Sequence, residues 1–333
     1  MKEGKAEENG FSATARKVGI AELFEEKTEC NFDGWSVTEL FDVTQGVTWG
    51  GEGCEELYVV DKTVALTLES KLVYKTIGGR DISSCNIDWE GKYLVFPYLK
   101  SASKWIPAFR HPTLGGDDSL DFSRSVSNYE KGKDVEAILN YRIAKSIVAF
   151  PSTAKYLIKH YNKLEKREFE GKKLSEYNKC WYEYHRPRTP TLTAKPKIVC
   201  KRVMKTPAFA LDEEGYLLRD SVMSIIPRKK FDELRKNLAN VLRSQITIIQ
   251  ALEYSLAFLN SESFQELLEK RRSKKRGGYP ILDERLLERL TVPKVATKDA
   301  SIVRKILKGN AKATDLRVLY RLRKSNQTEF PAS

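Results

Sequence analysis

No stretch of this 333-residue chain approaches the ~20 consecutive apolar residues that a membrane-spanning helix needs. Its first residues, MKEGKAEENG, are charged where a signal peptide has its apolar core. Cysteine is sparse: Cys30, Cys54, Cys85, Cys180 and Cys200 are odd in number, widely spaced and form no C-x-x-C pair. That argues against a disulfide framework and against a zinc site, and suggests a reducing cytosol. The expectation is a cytoplasmic protein with no membrane partner. Three scattered histidines, His111, His160 and His185, are too few for a histidine-rich metal centre, and each reads as a surface or packing residue. Also missing are G-x-x-x-x-G-K-[ST], a G-x-G-x-x-G after a strand, G-x-S-x-G and H-E-x-x-H. Carboxylates are plentiful, but none cluster at a spacing suited to metal-dependent cleavage. The expectation is therefore no catalytic residue, no metal and no cofactor bound by this chain, which a divergent motif would overturn.

What is present is positive charge. Lysine and arginine outnumber aspartate and glutamate 58 to 45, giving a net charge of +13 and a pI near 9.3. A field of that sign favours polyanions, either nucleic acid or an anionic membrane surface. Excess lysine also serves solubility, so charge alone leaves both readings open. Apolar residues at 41% and charged residues at 31% suit a folded, soluble chain long enough for one large domain or two ordinary ones.

The apolar pattern changes along the chain. Residues 1–35 read as a connector with a possible amphipathic helix from Ala13 to Glu26. From Trp35 to Phe96 short aromatic and β-branched runs, at 56–60, 71–75 and 92–96, read as strands, with Pro97 closing the last. Residues 110–135, rich in Gly, Asp and Ser, read as a loop or insertion. A helix is expected at 152–168 with Pro151 just inside its start, its apolar face carrying Tyr156, Leu157, Tyr161 and Leu164. Strands return near 197–200 and 221–226, with a turn at 212–215. From about 230 an apolar series from Leu234 to Leu259 reads as helix, and Ser263 with Glu266 fits a capping box opening another. Strands first and helices last indicate α+β: a curved mixed or antiparallel sheet followed by a helical region.

Two basic segments carry the candidate chemistry. In the first, Tyr184, Arg186 and Arg188 precede Lys195, Lys197, Lys201 and Arg202. Arginine can pair bidentately with guanine, while lysine serves phosphate as a point charge. Pro187 and Pro190 make this an ordered loop rather than a helix. Trp181 and Tyr182 read better as core anchors than as contacts. The second segment has six positive charges in the seven residues 270–276, including Arg271, Arg272, Lys274, Lys275 and Arg276. Such a run either tracks phosphates, which positions without specifying sequence, or is simply solvated. The glycines at Gly46, Gly50, Gly51, Gly78 and Gly79 read as turns where the backbone comes close to something, DNA being a candidate.

In order along the chain stand Gln45-Gly46-Val47-Thr48, Gly91 to Tyr98, a helix after Phe150-Pro151 ending in Leu164-x-x-Arg167, and Trp181 to Pro187. Pro196 to Val199, Phe209 to Asp212, Asp220-Ser221, Leu259-Asn260-Ser261, Gly277 to Pro280 and Leu290-Thr291-Val292-Pro293 follow. This collinear set resembles the TaqI-like C-terminal specificity domain of adenine-specific DNA methyltransferases and fused restriction–modification enzymes, over about 36–294. The resemblance implies a target recognition domain, here divided as 36–228 (α+β) and 229–294 (helices), with 295–333 a helical extension. It implies duplex DNA as one partner and a methyltransferase catalytic subunit or domain as the other. S-adenosylmethionine would bind in that partner, whose Asn-Pro-Pro-Tyr motif has no counterpart here. The other two readings are a divergent nuclease or methyltransferase, and a protein-interaction scaffold that keeps the fold without binding DNA.

Overall fold

A computed structural model describes residues 34–101, 104–109, 150–177, 179–188, 195–206, 208–262, 264–265, 273–274, 280–282, 287 and 290–309. Two four-stranded sheets organise these residues. They are built from β1 (Phe41–Gln45), β2 (Val59–Val60), β3 (Val73–Ile77), β4 (Tyr93–Val95), β5 (Lys197–Lys201), β6 (Phe209–Asp212), β7 (Leu217–Leu218) and β8 (Val222–Pro227). The larger sheet, in the order β6-β5-β8-β1, is antiparallel throughout. The smaller, in the order β7-β3-β4-β2, is mixed, because β7 runs parallel to β3. The fold is α+β.

The larger sheet is covered on both faces, which is why its strands read as continuous apolar runs rather than as alternation. Ile198 and Cys200 of β5, Phe209 of β6, and Met223 and Ile225 of β8 face a core shared with the helices. Val199, Ala210 and Val222 face the opposite way, against Ile77, Ile82, Tyr216 and Leu218. The helix-side core comes from α2 (Phe231–Leu242), α3 (Ile248–Leu259) and α4 (Ala300–Leu307). Leu234, Leu238, Val241 and Leu242 give α2 its buried stripe at helical spacing. A third apolar cluster lies between the smaller sheet and α1 (Pro151–Lys159), including Leu94, Val95, Phe96, Leu157, Trp181, Tyr182 and Tyr184.

Several expectations are corrected here. The series from Leu234 to Leu259 is two helices, not one. Arg243 takes the left-handed conformation (φ 52°) and ends α2. Thr247 and Gln250 then form a capping box that starts α3, the Gln250 N–H donating to Thr247 Oγ1 at 3.2 Å. The run at 56–60 is half helical turn and half strand. The run at 92–96 does end ahead of Pro97, its strand being Tyr93–Val95, and a further strand not expected from the sequence follows, Tyr98–Ser101 paired with Lys104–Pro107. The helix expected at 152–168 starts with Pro151 in its first turn but divides at His160. Thr291–Pro293 forms a strand and pairs with Gly34–Ser36, the first of the described residues. The Ala13–Glu26 helix, the 110–135 loop and the Ser263–Glu266 box fall outside the described residues.

Candidate functional site

The segment 181–188 stands on an arch of buried aromatic rings. Trp181, Tyr182 and Tyr184 are buried, and Tyr58 and Tyr184 pack edge to face at 4.7 Å. The polar ends of Tyr58, Tyr98 and Tyr184 meet backbone. Tyr58 Oη donates to the Tyr182 carbonyl at 3.1 Å, Tyr184 N–H donates to Tyr98 Oη at 2.7 Å, and Tyr184 Oη donates to the Val95 carbonyl. Burial pushes the Tyr58, Tyr98 and Tyr184 phenols well above their ordinary value, so all three keep their protons at neutral pH. Arg167, only 2% exposed, ties the arch together. Its guanidinium donates to the carbonyls of Leu164 (2.9 Å), Trp49 (2.6 Å), Trp181 (2.5 Å) and Glu183 (2.9 Å), and lies 5.4 Å from the Tyr58 ring centre.

Arg186 emerges from this support into solvent. Its N–H and carbonyl both pair with Thr48 at 2.9 Å, so the backbone is fixed while the side chain is exposed. The guanidinium lies 5.4 Å from the Phe169 ring centre, and His185 stacks on that ring at 3.7 Å. Burial, and then Arg186, hold the His185 imidazole below its ordinary pKa, which keeps it neutral against the ring. Arg188 is half-buried, with a left-handed backbone (φ 51°).

The other sequence candidates separate. Lys201 pairs with Val222 at the end of β5, and the Arg202 N–H donates to the Ser221 carbonyl at 2.9 Å. Both side chains are half-buried, and both lie at the sheet end from which β1 runs on to Thr48. Lys195 is exposed, but it precedes β5, at the end opposite Lys201. Two candidates are withdrawn as contacts. Tyr184 is wholly buried in the arch, and Lys197 is wholly buried in an ion pair with Asp212 at 2.6 Å. Burial pulls the Lys197 ammonium below its ordinary pKa, opposed by Asp212, and the ammonium also donates to the Tyr216 carbonyl.

The second basic segment is fastened near Arg202. Ser273 and Lys274 pair with Ile281 and Pro280, Val203 bridges Ile281, and the Leu282 N–H donates to the Arg202 carbonyl at 2.8 Å. Arg271, Arg272, Lys275, Arg276 and the Lys274 side chain fall outside the described residues. Two of the glycine turns lie close against other parts of this same chain. A Cβ on Gly46 would come within 2.2 Å of the Arg219 carbonyl, and one on Gly78 within 2.4 Å of the Arg219 guanidinium. Arg219 itself is engaged with Asp81 (2.7 Å) and Glu55 (3.1 Å). At Gly46 and Gly78 the close approach is thus to Arg219.

Spacing named Arg186 but not what holds it. The roles of Arg167, Phe169 and His185 depend on contacts between segments far apart in sequence. Among the described residues no group of three or more His, Cys, Asp or Glu could hold a metal, and no helix is long and apolar enough to cross a membrane.

Residues 127–292 match the TaqI-like C-terminal specificity domain. Among solved structures, the type IIG restriction endonuclease BpuSI is similar with a TM-score of 0.40 at 12% identity, over 89% of this chain and 28% of that one. The type IIL restriction-modification enzyme MmeI, solved in complex with DNA, is similar with a TM-score of 0.33 at 8% identity, over 89% of this chain and 38% of that one. The chain thus spans well under half the length of either enzyme.

Proposed function

We propose, from the match of residues 127–292 to the TaqI-like C-terminal specificity domain, that this chain is a sequence-specific duplex DNA recognition module of a restriction–modification system. The observation that carries the reading is Arg186, a solvent-exposed guanidinium on a backbone locked to Thr48 at both polar atoms. A planar donor fork held in one place is what bidentate reading of guanine requires. Arg188, Lys201 and Arg202 supply charge around it, and the run at 270–276 adds phosphate affinity. In this reading the chain acts in the cytoplasm with a methyltransferase catalytic subunit or domain, which holds S-adenosylmethionine and takes the target adenine out of the helix.

The test is selection from a randomised duplex library with the purified chain. Enrichment of one short motif is the expected result, with Arg186→Ala erasing at least one position of it. Binding that does not differ among sequences, or no binding at low salt, overturns the reading.

A further inference from the structure

Outside the site described above, the exposed cations divide into two kinds. Some are answered by carboxylates, Lys75 by Glu214, Lys163 by Glu56 and Arg228 by Asp42, while others, such as Lys71, Lys229 and Lys236, stand singly on other parts of the surface. On the chain from α1 to the start of the arch, Lys155, Lys159, Lys166, Lys172 and Lys173 are all exposed, and none has a carboxylate within ion-pair distance among the described residues. Lys155 and Lys159 are one turn apart on α1, about 6 Å along its axis. Lys172 and Lys173 lie on a tight hairpin, Glu168–Phe169 against Lys172–Lys173, turned through Glu170 (φ 52°) and Gly171 (φ 76°).

This chain is cross-linked to Arg186 rather than merely near it in sequence. Phe169 of the hairpin stacks on His185 and lies under the Arg186 guanidinium. Arg167, between α1 and the hairpin, holds the carbonyls of Trp49, Trp181 and Glu183. The Tyr161 ring packs edge-on to Trp181 at 5.1 Å. A charge on α1 or the hairpin therefore keeps a fixed place relative to Arg186. Burial, and then Lys159 and Lys163, hold the His160 imidazole at the end of α1 below its ordinary pKa.

We propose that Lys155, Lys159, Lys166, Lys172 and Lys173 form a phosphate-holding flank that seats duplex DNA against Arg186. The proposal rests on the recognition reading above and adds to it a surface outside both basic sequence segments. Phosphate contacts of this kind fix register without reading bases.

The test is a salt series of duplex binding by three double variants: Lys155→Gln/Lys159→Gln, Lys172→Gln/Lys173→Gln, and a control of equal charge change on the helical side, Lys236→Gln/Lys298→Gln. Each flank pair should lower the magnitude of the log–log salt slope by about two and weaken preferred and scrambled duplexes by the same factor. The control should leave the slope where it is in the wild type, and all three should keep the wild-type melting temperature. Flank variants with the wild-type slope, or a control that falls as far, overturn this proposal while recognition stands. A wild-type chain that binds no duplex overturns both.

Discussion

Behind the larger sheet, the space between strands and helices is filled with carbon: Leu234, Leu238, Leu252, Leu256, Phe209 and Ile225 meet with few polar atoms among them. Beneath Arg186 the space is filled with rings, the hydroxyls of Tyr58 and Tyr184 donating to backbone carbonyls, and with a buried guanidinium that serves four more. The first construction is forgiving, because apolar burial is non-directional and scales with area. The second is exacting, because each buried donor and acceptor must find its partner at a fixed distance. A surface that has to hold one arginine in one place is better mounted on the second kind. The helix-backed core supplies stability, and the arch supplies position.

Removing the key of the arch tests this division most severely. Arg167→Met keeps much of the apolar volume but takes the donor from several buried carbonyls, each worth about 1–3 kcal/mol when left unmade. A loss of about 3–5 kcal/mol is expected in urea unfolding, with sequence preference lost in whatever fraction stays folded. Leu238→Ala, in the helix-backed core, should cost about 2–5 kcal/mol through the cavity it leaves. Its folded fraction should keep the wild-type sequence preference. If preference falls as much for Leu238→Ala as for Arg167→Met, the two regions do not divide the work.

Helix capping carries the same contrast in smaller amounts. In the helix-backed region α3 caps itself, through Thr247 and Gln250. Beside the arch, α1 is capped from elsewhere: the Glu69 carboxylate accepts from the Ser152 N–H (2.8 Å), the Thr153 N–H (2.8 Å) and the Thr153 hydroxyl (2.5 Å). Burial of Glu69 works against ionisation, yet these hydrogen bonds hold its carboxyl below the ordinary glutamate value. A depressed carboxylate stabilises the fold above its unfolded pKa of about 4.3, and that contribution is lost as pH falls through the lower folded value. Glu69→Gln should therefore cost about 1 kcal/mol at neutral pH, on the scale of a lost cap. The gap from wild type should narrow on acidification below about pH 4. A gap that stays constant across this range would mean that the charge of Glu69 contributes nothing.

The same contrast explains what was legible in the sequence. The strands at 197–201, 209–212 and 222–227 and the buried stripe of α2 are local patterns, and the apolar residues announce them. The break between α2 and α3 was hidden because its left-handed residue is Arg243, where a glycine would have signalled a stop. Lys197 read as a surface cation because nothing local to it names Asp212, its neighbour only once β5 and β6 pair. Arg186 could be named from its basic, proline-bearing context, but Thr48, Phe169 and Arg167 reach the arch from other segments. Cap Glu69 lies more than eighty residues from the helix it starts.

The smallest effect on stability should accompany the sharpest effect on binding. Arg186→Ala removes an exposed side chain whose backbone pairing with Thr48 does not depend on it, so the unfolding free energy should stay within about 0.5 kcal/mol of wild type. Competition between preferred and scrambled duplexes should nonetheless lose about 1–3 kcal/mol of discrimination, the worth of one bidentate base contact. Arg186→Lys separates charge from shape: a point charge keeps affinity for phosphate but cannot present the planar fork, so it should restore binding strength without restoring preference. If Arg186→Lys discriminates as well as wild type, the guanidinium acts only as a charge. The elaborate support beneath it would then have no role in reading sequence.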